Sequence, residues 1–300
     1  MATSAGVNAK DISLLYTTEV VSDCVLGISA QSFTDNPTPI AEMTAKVFNQ
    51  STRFILYTYL ANLLPQIRKI FTVGLFNKET EKFFYELMAS SIDLRRKTQN
   101  KERMDFLNYM LQLQDKRGLH TDELASHTMT FLTDGFETTA NVLSHTLLLL
   151  ARYPETLARL REEIGNAPLS FEELNDLPYL EACLHETLRI FPALLSARKV
   201  CTAPYDLVNK DGVRVQLQPG DVVIVPAWSL QHDPKYFPQP ELFKPERFLE
   251  SGSDAGEGLR KYREMGVYLG FGDGPRICPG MRFAMTQIMA AIVEIVRTFD

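Results

Sequence analysis

The sequence predicts a mainly α protein with a small β region. Apolar residues recur at helical spacing through about residues 1–192, short alternating runs framed by Gly and Pro fill about 193–270, and a last apolar helical pattern covers Met281–Arg297. No internal repeat or low-complexity linker separates these parts, so residues 1–300 read as one domain.

In chain order, helical spacing occurs at Ile12–Gly27, Glu79–Arg96 and Arg103–Gln114, and two prolines loosen Phe33–Ile40. The longest helix is expected from Thr121 to about Tyr153, with Thr121 as its N-cap and Asp122 and Glu123 suited to the positive end of the helix dipole. Pro154 opens the next helix, where its missing N–H costs nothing, and Gly165 ends it. Ser170-Phe-Glu-Glu173 has the form of a capping box, in which serine and glutamate satisfy each other's free backbone N–H groups. Tyr179–Ile190 is helical and stops at Phe191-Pro192. Strands are expected at Leu194–Thr202, Tyr205–Val208, Val213–Leu217 and Asp221–Pro226, with Asp211-Gly212 turning the chain between the second and third. Pro-rich coil continues to about Phe248, and a Gly/Ser-rich loop covers Ser251–Gly258.

Apolar residues make up 45% and charged ones 23% of the 300, the balance of a globular chain able to bury a sizeable core. With 31 basic and 37 acidic residues the net charge is −6, which argues against a nucleic-acid partner. The densest apolar run, Val142–Ala151, is too short to cross a bilayer, and no signal peptide is visible. Cys24, Cys183, Cys201 and Cys278 form neither a C-x-x-C pair nor a zinc-spaced set, and four scattered thiols make no disulfide framework, so a reducing compartment is expected. Cys24, Cys183 and Cys201 are expected to be small buried apolar residues.

Cys278 stands apart. In Phe271-Gly-Asp-Gly-Pro-Arg-Ile-Cys-Pro-Gly280 it lies at a helix entrance, where free N–H groups and the helix dipole favour thiolate over thiol. Gly274 and Gly280 carry no side chain and leave clearance for a bulky flat partner, and Arg276 can meet an anionic group on that partner. Such a loop suits an iron porphyrin, because a thiolate ligand pushes electron density onto the iron. A free surface cysteine and a catalytic thiol remain open readings, although no nearby histidine offers the base a thiol nucleophile uses.

Taken in order, Phe271-x-x-Gly274-x-Arg276-x-Cys278-x-Gly280 resembles the haem-binding loop of the cytochrome P-450 family. Three more segments resemble motifs of that family in its order: Asp134-Gly-Phe-Glu137-Thr138-Thr139 its oxygen-activation motif Ala/Gly-Gly-x-Asp/Glu-Thr, Glu186-Thr-Leu-Arg189 its E-x-x-R, and Phe243-Lys-Pro-Glu-Arg247-Phe248 its F-x-P-E-R-F. The resemblance implies the cytochrome P-450 fold, incomplete at both ends. A membrane anchor, a proline-rich hinge and a W-x-x-x-R helix would precede this chain, and a last β hairpin would follow it; Trp228 lies in a different, structural segment. It also implies haem b with Cys278 as axial thiolate, Phe271 packed beside the sulfur and Arg276 on a propionate. Glu186, Arg189 and Arg247 are expected to form a buried network supporting the haem pocket. Glu137 and Thr138 are expected to pass protons to the oxygen chemistry, on a helix opened at Gly135 and bent by threonine hydroxyls bonding to the preceding turn.

Two positions depart from the pattern. Asp134 stands where a small residue is usual. In the strand that supplies a propionate-binding arginine as R-x-C, this chain reads Arg198-Lys199-Val200-Cys201. Alternate strand residues face opposite sides, and the register selects Lys199 over Arg198.

The implied activity is monooxygenation of a lipophilic substrate, a xenobiotic or an endogenous lipid or hormone-like molecule. Electrons come from an NADPH-dependent cytochrome reductase, with cytochrome b5 as a further donor. The wording around the motifs is similar to microsomal animal members, insect ones in particular. That implies the cytoplasmic face of the endoplasmic reticulum membrane, reached through an N-terminal anchor absent from this chain. Two alternatives stand beside this reading: a haem-thiolate isomerase or dehydratase, against which the Glu137-Thr138 pair counts, and a non-catalytic truncated product.

Overall fold

The computed structural model describes residues 7–47, 52–64, 66–71, 73, 78–98, 103–165, 170–174, 176–249 and 258–299. The chain packs as two compact units, Met1–Asn141 and Val142–Asp300, with the boundary inside one long helix.

The first unit holds α1 (Ala9–Leu26), α2 (Pro39–Val47), α3 (Thr52–Leu63), α4 (Ile67–Ile70), α5 (Lys78–Thr98), α6 (Phe106–Arg117) and most of α7 (Thr121–Arg152). Of these, α2, α3 and α4 were not among the expected helices, and α2 begins at Pro39, inside the stretch expected to be loosened by its prolines. α1 ends at Gly27, which takes the left-handed conformation (φ +73°) and donates its N–H to the Asp23 carbonyl. Arg95 of α5 donates to the Leu26 carbonyl at 3.0 Å and to Asp105 at 2.7 Å, while the Asp105 carboxylate caps α6 by accepting the Asn108 N–H at 2.9 Å. One ion pair therefore ties the end of α1 to α5 and to the start of α6. Val21 and Val25 of α1, Phe84 and Met88 of α5 and Leu132 and Phe136 of α7 form the main apolar cluster; burying side chains of this size stabilises a fold by roughly 1.5–3 kcal/mol each. α7 begins one residue earlier than a Thr121 cap would require. Thr121 is its first helical residue, and the Glu123 carboxylate accepts the His120 N–H at 2.8 Å, which puts the cap at His120.

The second unit continues with α8 (Pro154–Ile164), α9 (Phe171–Leu174), α10 (Pro178–Ile190), β1 (Ala197–Val200), β2 (Tyr205–Val208), β3 (Arg214–Leu217), β4 (Val222–Val225), α11 (Ala227–Gln231), α12 (Gly258–Glu264) and α13 (Met281–Thr298), with 3-10 turns at Pro245–Phe248 and Gly274–Arg276. The capping box forms as expected: Ser170 N–H meets the Glu173 carboxylate at 2.8 Å, and Glu173 N–H meets Ser170 Oγ at 3.2 Å. The Glu163 carboxylate accepts the Tyr179 and Leu180 N–H groups at 2.7 and 2.9 Å, satisfying free donors at the start of α10. β2 and β3 form the hairpin expected around Asp211-Gly212, where the Asn209 side chain accepts the N–H groups of Asp211 and Val213. β1 pairs antiparallel with β4, placing Lys199 opposite Val223 and Arg198 opposite Ile224. α11, five residues long, lies where Pro-rich coil was expected, and α12 begins at Gly258. The rest of the expected Gly/Ser-rich loop, 251–257, falls outside the described residues.

Of the three cysteines expected to be buried, only Cys183 is. Cys24 is exposed because the covered stripe of α1 runs through Thr17, Thr18, Val21, Ser22, Val25 and Leu26 and leaves Asp23 and Cys24 outward. Cys201 is half-buried in the coil that follows the exposed strand β1. Among the described residues no helix is long and apolar enough to cross a membrane.

Candidate functional site

α10 carries Glu186 and Arg189 one turn apart, and neither side chain is reached by solvent. Arg189 Nε and Nη2 donate to the two carboxylate oxygens at 2.7 and 2.9 Å. Its other donors meet the carbonyls of Gln231 (2.9 Å), Pro240 (2.8 Å) and Leu242 (3.2 Å). From the 3-10 turn, Arg247 Nε comes within 3.3 Å of Glu186 Oε1, and its Nη2 donates to the Gln239 carbonyl at 2.8 Å. The Lys244 N–H adds a fourth donor to the same carboxylate at 3.0 Å. One buried anion thus serves two buried guanidinium groups, and backbone carbonyls take the remaining positive charge. Glu186, Arg189 and Arg247 are brought together as their motifs led one to expect.

Gln231 completes this cluster and was not foreseen. Its amide N–H group donates to the Leu188 and Arg189 carbonyls at 3.0 and 3.1 Å, and its side-chain oxygen accepts the Leu269 N–H at 2.7 Å. The last carbonyls of α10 have no partner within the helix, so Gln231 satisfies them and fastens the segment leading to Cys278. Glutamine is usually exposed, and nothing in Trp-Ser-Leu-Gln marks this one as fully buried.

A second fastening lies one residue earlier. Tyr268 Oη is 2.8 Å from His185 Nδ1, and His185 Nε2 is 3.5 Å from Glu181. Burial pushes the Tyr268 hydroxyl well above its ordinary value, so it remains neutral. The hydrogen bond with His185 holds the Glu181 carboxyl below its usual range. A Cβ at Gly270 would lie 2.3 Å from Tyr268 Oη, so the ring has room only because residue 270 is glycine.

The loop itself follows. Phe271 is half-buried, Gly272 and Gly274 both have φ +74°, and Gly280 directly precedes α13. The Cys278 N–H donates to the Phe271 carbonyl at 2.9 Å and closes the loop. The Asp273 carboxyl is held below its usual range by the Gly274 N–H and by Arg263, 3.2 Å away. Cys278 and Arg276 are exposed. A Cβ at Gly272 or Gly274 would meet nothing within 4 Å, and one at Gly280 would come 3.9 Å from Cys278 Sγ. An open sulfur with glycine clearance and an arginine two residues away fit a haem. Among the described residues no three His, Cys, Asp or Glu side chains gather to hold an ion. A metal at Cys278 would bring its remaining donors with it, as an iron porphyrin does.

In the first unit, the Asp134–Thr139 segment lies within α7, which is α-helical throughout. The expected opening at Gly135 is absent, and the glycine serves packing instead: a Cβ there would lie 3.2 Å from both methyl carbons of Val21 on α1. Thr138 Oγ1 does bond to the preceding turn, at 2.6 Å from the Asp134 carbonyl. Glu137 takes another direction, with its carboxylate 2.5 Å from Lys10 Nζ, which also binds Asn141 Oδ1. Lys199 and Arg198 are both exposed on β1.

The model of the cytochrome P450 family matches residues 1–300. Two Drosophila melanogaster proteins, Probable cytochrome P450 28d1 and Probable cytochrome P450 28d2, are 62% and 56% identical over 100% of this chain. Cytochrome P450 3A16 of Mus musculus is 29% identical over 98% of it. The chain spans 59% of the length of each of these relatives. It belongs to the cytochrome P450 family.

Proposed function

We propose that the protein is a haem-thiolate monooxygenase that inserts one atom of dioxygen into a lipophilic substrate. The observation that carries this is the exposed Cys278 in a glycine-cleared loop, with the segment leading into it fastened by Gln231 and by the Tyr268–His185 bond. When bound, a thiolate-ligated haem supplies the oxygen and electron-transfer chemistry. Cys278 Sγ would hold the iron, with Phe271 beside the sulfur, and Gly274 and Gly280 would leave space for the ring. Arg276 and Lys199 would meet the propionates, and the Glu186–Arg189–Arg247 cluster would brace the pocket from α10.

The bond from Thr138 to the Asp134 carbonyl fixes the hydroxyl hydrogen and leaves the oxygen free to accept a proton-bearing partner. Glu137, the acid next to it in sequence, is paired with Lys10. The presence of the Glu137-Thr138 pair in the motif favours monooxygenation over isomerase or dehydratase chemistry, which activates no dioxygen and needs no such protons. The redox partner is an NADPH-dependent reductase, with cytochrome b5 as a second donor. The working location is the cytoplasmic face of the endoplasmic reticulum membrane.

The test is the absorbance of the haem-loaded protein, reduced under carbon monoxide. The red-shifted Soret band of thiolate ligation is expected in wild type and absent in Cys278→Ala; a band that survives the substitution overturns the assignment, and no haem uptake favours a non-catalytic product. With reductase and NADPH, labelled dioxygen should enter the product. Turnover of peroxides without reductase would point instead to an isomerase or dehydratase.

A further inference from the structure

Positions 127, 130, 134 and 138 follow one another about one turn apart along one side of α7. That side is not the one packed in the core of the first unit. Leu124, Thr128, Leu132, Phe136 and Ala140 are buried, whereas His127, Thr130 and Asp134 are exposed and Thr138 is half-buried. The two carboxylates of the motif therefore have different fates. Glu137 is neutralised by Lys10. Asp134 has neither a hydrogen bond nor an ion pair at its carboxylate among the described residues, and it shares its side of the helix with Thr138, whose hydroxyl is bonded to the Asp134 carbonyl. Desolvation by neighbouring side chains raises the Asp134 carboxyl above its ordinary value, the direction that pairing with a cation reverses.

We infer that Asp134 is a specificity-determining residue, whose carboxylate selects lipophilic substrates bearing a cationic nitrogen by pairing with it one helical turn from Thr138. This rests on the proposed function, in which Thr138 takes part in the oxygen chemistry. A neutral lipophile bound there leaves the carboxylate unpaired and further desolvated, which disfavours it relative to a cation of the same shape. The small residue usual at this position in the resembling family would give no such discrimination.

The experiment compares two probes of one shape: phenethyltrimethylammonium, whose quaternary nitrogen cannot ligate iron, and the hydrocarbon with a tert-butyl group in its place. Binding to the haem-loaded protein is read by equilibrium dialysis at fixed ionic strength and by the change in haem absorbance. Wild type is expected to bind the cation about tenfold more tightly or better, a difference of about 1.4 kcal/mol. Asp134→Asn and Asp134→Ala are expected to abolish that preference, weakening the cation and tightening the hydrocarbon, since no carboxylate is left to desolvate. A cation preference absent from wild type, or surviving in both variants, overturns the inference. The Cys278-dependent Soret band is recorded on the same samples; its absence from wild type would sink the haem reading, so the two failures are distinguishable.

Discussion

Arg189 and Glu186 meet through two hydrogen bonds, 2.7 and 2.9 Å long, in a place that solvent does not reach. Arg247 approaches the same carboxylate at 3.3 Å, so Glu186 is the single anion between two cations. Removing it is the worst change available to this cluster. Glu186→Ala strands both guanidinium groups and is expected to destabilise the second unit by about 3–5 kcal/mol. Arg247→Met leaves Arg189 and Glu186 paired and should cost roughly half of that or less. Urea unfolding of the two variants checks the order, and equal losses would contradict a shared carboxylate.

Gln231→Leu keeps the volume of the side chain approximately and removes its three hydrogen bonds. The Leu269 N–H and the carbonyls of Leu188 and Arg189 lose a partner, at about 1–3 kcal/mol for a buried group left unsatisfied. Because Leu269 lies two residues before Phe271, the variant should also bind haem less tightly than its stability loss alone explains. Haem retention measured against a destabilised control altered elsewhere tests this, and equal retention would confine Gln231 to folding.

The contrast between Arg189 and Gln231 shows what could be read from sequence. Glu186-x-x-Arg189 and the loop 271–280 are short-range patterns, and the caps at Gly27, Ser170 and Gly165 depend on residues within a turn of each other. Such features leave a local trace. The Gln231–Leu269, His185–Tyr268 and Lys10–Glu137 contacts join residues 38, 83 and 127 positions apart, and none of the pairs has a composition that announces it. Five-residue α11 is too short to show a period, and Gly135 proved to serve α1 packing because the neighbour it admits, Val21, is distant in sequence. The motif at Asp134–Thr139 was legible as a segment; the opposite fates of its two acids were not.

Glu181 carries a pH dependence. Its hydrogen bond from His185 holds the carboxyl below its ordinary value in the folded chain. The unfolded chain therefore takes up this proton first as pH falls. The stabilisation is complete above the ordinary glutamate value of about 4.3 and is lost as pH drops through the lower folded value. Between about pH 5 and pH 3, wild type should lose more stability than Glu181→Gln, which has no proton to take up at this position. Denaturant midpoints across that window read the difference, and parallel curves would remove the linkage.

Gly270 tests the fastening of the cysteine loop from the other side. A Cβ there would lie 2.3 Å from Tyr268 Oη and 2.7 Å from its Cζ, so something must move. The tyrosine cannot yield freely: its ring packs against Phe248 and His185, with centroids 5.1 and 5.6 Å away, and its hydroxyl is bonded to His185. Gly270→Ala is therefore expected to cost about 1–3 kcal/mol, as overpacking does. In a Tyr268→Ala background the clash has no partner, and the cost of Gly270→Ala should largely vanish, a coupling of about 1 kcal/mol or more between the two positions. Phe271 follows Gly270, and its carbonyl holds the Cys278 N–H, so the single variant should also weaken the thiolate Soret band. Additive costs with an unchanged band would mean that Tyr268 gives way without disturbing the loop, and that its bond to His185 does not position Cys278.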